Sequence, residues 1–186
     1  ARPDVSIKQG NCNRILLDEV LPRIRYEDYR RGLLVLDPYG LHLDWRVLET
    51  AGQMQTIDLF LNLPIMDINR NALWRGGPGT SVEQLARMTA FWGDESWRSA
   101  CFTPHPQLGL FGDEKLAKQP NQVVVDAFCE RLKGVAGFDY VPQPMPMRNS
   151  VGAVVYYLFF ATHKPVAEKI VSQIFAKYAK PTNRVA

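Results

Sequence analysis

Cysteine and histidine are scarce in this chain, and both are badly placed for the chemistry they usually do. Only three cysteines occur in 186 residues, Cys12, Cys101 and Cys129, and no two form a CxxC pair. An odd, sparse set excludes a disulfide framework and a zinc site of the usual spacing, and predicts reduced, structural thiols of a cytoplasmic protein. His42, His105 and His163 are equally scattered and offer no metal-ligand spacing. No cluster of acidic residues is spaced for two metal ions, which weakens a nuclease or other phosphate-handling reading. The most apolar run, Val151 to Thr162, falls well short of the ~20 residues that span a bilayer, so no membrane partner is expected. Repeats and low-complexity tracts are absent too, and no signal peptide is expected.

What remains is an ordinary globular composition, 46% apolar and 22% charged, with a net charge of +3. A charge this small tolerates nucleic acid as a partner without arguing for it. The length suits one α/β domain over residues 1–186. Val5-Ser6-Ile7 alternates like a short strand and enters a turn at Gly10-Asn11. Asn13 is placed to cap a helix over Arg14 to Pro22. Tyr26 to Arg31 is polar and basic. Leu33 to Leu36 is a continuous apolar run and predicts a strand buried on both faces. Asp44 precedes a helix from about Trp45 to Gln53, and Thr56 to Leu63 predicts a second buried strand. That alternation of strands and helices is the pattern of a parallel sheet with right-handed crossovers.

Residues about 66–120 form an irregular helical insertion, punctuated by Gly76-Gly77-Pro78-Gly79 and by a second polar stretch from Thr103 to Pro120. Within it, Thr80 or Ser81 starts a helix, with Glu83 and Gln84 near a capping-box position. Trp74-Arg75, Arg87, Phe91-Trp92 and Trp97-Arg98 interleave aromatics with cations, a pattern that suits base stacking. The spacing of Leu85, Met88, Phe91 and Trp92 fits core packing better. Gln122 to Lys133 predicts another helix. Phe138 to Met147 carries three prolines, tolerable only in an edge or irregular strand. It leads through Asn149 to Gly152 into a buried strand over Ala153 to Ala161, so the two predict an antiparallel hairpin at the sheet edge. Pro165 to Ala179 is amphipathic, and His163 is expected to stand at its start.

Two segments carry candidate chemistry. Asp37-Pro38-Tyr39-Gly40 ends the strand at Leu36 abruptly, placing a carboxylate and an aromatic ring where open α/β sheets bind ligands. A carboxylate there can accept a hydrogen bond from an amine while the ring holds a flat substrate. The plainer alternative is a turn in which Asp37 caps local amides. Asn69-Arg70-Asn71 is unusually polar for a segment so soon after a core strand. Arg70 can fork onto a phosphate or carboxylate, flanked by two amides, or can pair with Asp67 or Asp58. Asn62, at the end of its strand, faces the same crevice or caps the next turn.

LDPYGLHLDW, then IDLFLNLPIMDINRN, then GAVVYYLFFATHKP before a terminal helix together resemble the three-Cys-motif partner protein family. This is a bacterial, methyltransferase-like group named for a neighbouring gene product that carries three cysteines. The resemblance covers most of residues 5–179. It implies a Rossmann-like, methyltransferase-type sheet, mostly parallel with a C-terminal antiparallel hairpin. It also implies S-adenosylmethionine as cofactor, a three-Cys-motif protein as partner and a nucleic acid amine as target. In that reading Asp37, Pro38 and Tyr39 form the catalytic turn. Gly40, Asn62, Asn69, Arg70 and Asn71 bind substrate, and Asn11 meets the adenine of the cofactor.

Two departures stand against catalysis. The acidic, Gly-rich loop that holds S-adenosylmethionine in the family has no counterpart, and Asn11 stands where a carboxylate is usual. With Ala1 rather than Met at the start, these departures predict the carboxyl-terminal part of a longer protein, truncated at the N-terminus. They also raise a rival of another class, a non-catalytic module that uses the crevice to hold a partner protein or nucleic acid.

Overall fold

Strict alternation in Ile57-Asp58-Leu59-Phe60-Leu61-Asn62-Leu63 decides the centre of the fold. Side chains in a strand point to opposite faces in turn. Ile57, Leu59, Leu61 and Leu63 are therefore all buried on one face, and Asp58, Phe60 and Asn62 lie on the other. The computed structural model describes residues 4–72, 81–104 and 116–179. Its main sheet contains β1 (Gly32–Leu36), β2 (Ile57–Leu63), β5 (Met145–Arg148) and β6 (Val154–Ala161), in the order β1-β2-β6-β5. A separate two-stranded ribbon pairs β3 (Phe102–Pro104) with β4 (Leu116–Lys118).

The expectation of a mostly parallel, Rossmann-like sheet is overturned. Only β1 and β2 run parallel, whereas β6 is antiparallel to both β2 and β5. The antiparallel pairing of β5 with β6 has a local cause at the turn between them. Asn149 Oδ1 accepts from the amides of Val151 and Ala153, and Gly152 takes a left-handed φ of +81°. The expected hairpin therefore forms, and its second strand slots in beside β2 rather than closing the edge. Apolar runs report burial, not direction, so the sequence pattern could not show this.

Two further expectations fail at the other edge. Val5-Ser6-Ile7 pairs with nothing in the sheet, and Ile7 is 91% exposed. β1 is an edge strand whose Leu33 and Val35 are 61% and 63% exposed, so it is not buried on both faces. An apolar run at an edge cannot be told from a central strand by composition alone.

The helices cover the sheet unequally. A first helical segment opens with α1 (Cys12–Ile15) and continues through wider and tighter turns to Arg23. Its cap is Asn11, which accepts from the Arg14 amide at 3.2 Å, and not Asn13 as the pattern suggested. Next come α2 (Trp45–Gln53), the short α3 (Ile65–Asp67) with a turn over Ile68–Ala72, α4 (Val82–Trp92) and α5 (Trp97–Cys101). Then follow α6 (Asn121–Gly134) and α7 (Pro165–Tyr178). Ser81 and Gln84 form the capping box of α4 as expected. Asp44 stands at the start of α2 but makes no side-chain cap bond. The glycine-rich turn at 76–79, Trp74-Arg75, Thr80 and residues 105–115 lie outside the described residues.

Phe128 of α6 is the hub of the buried face. Its ring meets Trp45 of α2, Phe91 and Trp92 of α4 and Phe159 of β6, with centroids 5.3 to 5.8 Å apart. Edge-to-face and offset pairs of this kind add to the area term of burial. Arg131, one turn further along α6, lies over the Trp45 ring at 4.7 Å and donates to the Trp92 carbonyl and Ser96. Met88, Phe91, Trp92 and Trp97 are thus core residues. On the opposite face α7 packs through Phe175 against Phe60. No helix among the described residues is long and apolar enough to cross a membrane.

The tightest backbone approach is at Gly52 of α2, where a Cβ would stand 2.1 Å from the Ala136 carbonyl oxygen. Main chain cannot yield as a side-chain tip does. Gly52→Ala should cost about 3 kcal/mol, the upper end of overpacking penalties. Urea titration checks this, and a loss below ~0.5 kcal/mol would show that the two segments are not in contact.

Candidate functional site

The parallel register brings the two strand ends together. Leu36 pairs with Leu61, so the next residue on each strand, Asp37 and Asn62, stand side by side. Asn62 Nδ2 donates to Asp37 Oδ1 at 2.6 Å, whereas Asn62 Oδ1 is buried without a partner. The carboxylate caps no local amide. It is tied across the sheet, and among the described residues its second oxygen has no partner and can accept.

Pro38 and Gly40 then turn the chain. Gly40 has φ +57°, and a Cβ there would meet nothing closer than Asp67 Oδ2 at 3.9 Å. Backbone angle, not space, demands glycine at this point. The turn leaves Tyr39 90% exposed, its ring loosely stacked at 6.3 Å from His42. Behind it, Leu41 and Leu43 are buried and anchor the loop in the core.

Asn13 holds this loop from below. Its Nδ2 donates to the His42 carbonyl at 3.0 Å, and its Oδ1 accepts from the Asp44 amide at 3.1 Å. Both halves of one buried amide are used to fasten a single tripeptide. The sequence showed an Asn after a turn, which reads as a cap, and so gave no sign of this positioning role.

Asp37, Pro38, Tyr39, Gly40, Asn62 and Arg70 line one groove of about 430 Å³, with Asp67 and Tyr156 on its walls. Tyr39, Gly40 and Asp67 also border a smaller one of about 230 Å³, together with His42 and Arg87. The sequence pattern offered Asp67 only as a partner for Arg70, and His42 only as a histidine without metal-ligand spacing. Arg70 is exposed and pairs with no carboxylate among the described residues. Asp58, one of its expected partners, instead accepts from Thr162 Oγ1 at 2.5 Å.

Other expected site residues lie elsewhere. Asn69 Nδ2 donates to Asn121 Oδ1 at 3.0 Å, fastening the turn after α3 to the start of α6. Asn71 belongs to the same turn, and its side chain lies outside the described residues. Asn11 is engaged as the α1 cap. His163 Nδ1 lies 2.9 Å from Asp139 Oδ2 and its ring stacks on Phe138, a structural tie just before α7.

A cofactor with a ribose diol and an amino-acid tail needs hydroxyl acceptors and a counter-charge. The groove beside β1, about 330 Å³, is walled largely by Ile15, Leu16, Leu34, Val35 and Leu36. Its charged groups are Asp37, already tied to Asn62, and Lys8, which pairs with Glu19. These residues do not fit S-adenosylmethionine, and no step is derived through it. Among the described residues no group of three His, Cys, Asp or Glu side chains can hold a metal ion.

The thiols divide by burial. Cys101 and Cys129 are buried, which pushes each up to about 12, while Cys12 is exposed. Only the thiolate attacks alkylating agents. Iodoacetamide at pH 8 should therefore label Cys12 alone in the folded protein and all three thiols in denaturant, as mass spectrometry would read. A second label in the folded state would contradict the burial. Asn13→Ala should cost about 2 kcal/mol, since it removes two buried hydrogen bonds. It should also speed hydrogen exchange at the Asp44 amide, and an unchanged exchange rate would remove Asn13 from the loop's support.

Comparison with protein-family models, with curated proteins and with solved structures gives no match for this chain.

Proposed function

We propose that this chain is a non-catalytic module that binds an unstacked, amine-bearing nucleobase in the crevice at the carboxyl ends of β1 and β2. The observation that carries this reading is the Asp37–Asn62 contact at 2.6 Å beside a tyrosine ring that is 90% exposed. Asp37 keeps one carboxylate oxygen for an exocyclic amine, and a hydrogen bond to a charged acceptor is among the stronger ones. Tyr39 offers a flat face for the base. Arg70, which lines the same groove and has no carboxylate partner among the described residues, suits the phosphate that follows.

The resemblance of the DPYG and NRN segments to three-Cys-motif partner proteins supports a binding role for this loop. It also implies a protein partner encoded nearby in a bacterial cytoplasm. Methyl transfer is the less supported use of the site, because the residues around β1 do not suit the methyl donor.

Mononucleotides test the crevice. AMP and CMP should bind at least about tenfold more tightly than UMP, the discrimination expected from one charge-assisted hydrogen bond. Asp37→Asn should erase that preference, and Tyr39→Ala should weaken all three about fivefold or more. Calorimetry that shows equal affinities for AMP and UMP, or no effect of Tyr39→Ala, would overturn the reading.

A further inference from the structure

A second set of unabsorbed groups sits at the opposite pole of the sheet, where the chain enters β1 and β2. Residues 23–31 read Arg-Ile-Arg-Tyr-Glu-Asp-Tyr-Arg-Arg, four arginines against two acids. All four arginines are exposed, and none pairs with a carboxylate among the described residues. Their recorded polar contacts are to main-chain carbonyls. Arg25 Nε donates to Pro22, Arg30 to Arg23, and Arg31 to Arg30, at 2.8 to 3.1 Å. Arg23 acts on Glu19 only through space, and that carboxylate is already taken by Lys8. The guanidinium groups of Arg25, Arg30 and Arg31 are thus held in place with donors left over.

The backbone beside them is strained. Among the described residues only Tyr29 and Gln55 adopt a positive φ without being glycine, at 55° and 57°. Both belong to this pole. Thr56, next to Gln55, joins the two loops, because its Oγ1 donates to the Ile24 carbonyl and its own carbonyl accepts from the Gly32 amide. Left-handed angles at residues with a Cβ are costly and concentrate where a surface has a task. Here the angle turns the Tyr29 ring outward, 94% exposed, while Arg31 lies 4.6 Å over the neighbouring Tyr26 ring. An exposed ring among unpaired arginines combines the two contacts that single-stranded nucleic acid needs, a stacking face for a base and charge for the backbone. A duplex hides its base faces, and an acidic peptide has no use for the ring.

We propose that the Arg23–Arg31 loop, with Gln55 beside it, is a binding site for single-stranded nucleic acid, separate from the DPYG crevice. The five residues of β1 put the two sites about 15 Å apart, at opposite ends of one strand. The proposal does not depend on the crevice binding a base.

Fluorescence anisotropy with labelled dT12 and rU12 tests it. These oligonucleotides lack the exocyclic amine that the crevice selects, so it holds them at least about tenfold more weakly, and the Tyr29 and Arg31 variants report on the loop. Both should bind, more weakly as salt rises. Tyr29→Gly removes the ring and relieves the positive φ, so the melting temperature should hold or rise while affinity falls about fivefold or more. Arg31→Gln should lower the slope of log K against log salt by about 0.7, one phosphate contact on a single strand. The proposal is overturned if neither oligonucleotide binds at 50 mM salt or if Tyr29→Gly binds like wild type. It is overturned equally if a duplex, a poly-glutamate peptide or phosphatidylserine vesicles bind as tightly as dT12.

Discussion

The parallel register of β1 on β2 is the constraint from which the rest of the candidate site follows. Sliding β1 by one residue would turn Leu34 and Leu36 away from the core and separate Asp37 from Asn62. That slip is resisted by apolar burial on one face, where Leu59 and Leu61 are fully covered. It is resisted again at the start of the strand, where the Gly32 amide donates to the Thr56 carbonyl. Core packing thus sets the position of an exposed carboxylate.

Covering that face requires α2, α4 and α6 to meet over the sheet, and Phe128 is where they meet. Its contacts with Trp45, Phe91, Trp92 and Phe159 join helices from distant parts of the chain to one strand. The opposite face is covered only in part. α7 reaches Phe60, while Leu33 and Val35 on β1 remain open to solvent. The two candidate binding regions lie at the ends of β1 and β2, where the chain leaves and enters the sheet. Loops there are anchored in the core by only a few side chains, such as Leu41, Leu43 and Ile24, and can carry exposed rings and unpaired charge.

Much of the secondary structure was legible in local pattern. The capping box of α4, the helix at Trp45–Gln53 and the proline of edge strand β5 are local effects of capping, periodicity and missing donors. The candidate site was legible in half. Asp37, Tyr39, Gly40, Asn62 and Arg70 do line one groove. Asn69 and Asn11 do not join them, because their amides are used within the fold, at Asn121 and at the α1 cap. Asn13 went unrecognised because its two partners, His42 and Asp44, lie 29 and 31 residues away.

By itself the sequence determined which residues seek burial, where the chain turns, and that a carboxylate and a ring end the strand at Leu36. These follow from side-chain polarity, proline's missing donor and glycine's backbone freedom, all of which act within a few residues. Only the tertiary structure decided that β6 runs antiparallel between β2 and β5, that β1 is an edge, and that Asp37 is tied to Asn62 rather than to its own turn. The hairpin's own turn sets β6 against β5, but which strand β6 joins on its other side is set by packing between segments far apart in the chain, and no local pattern encodes it.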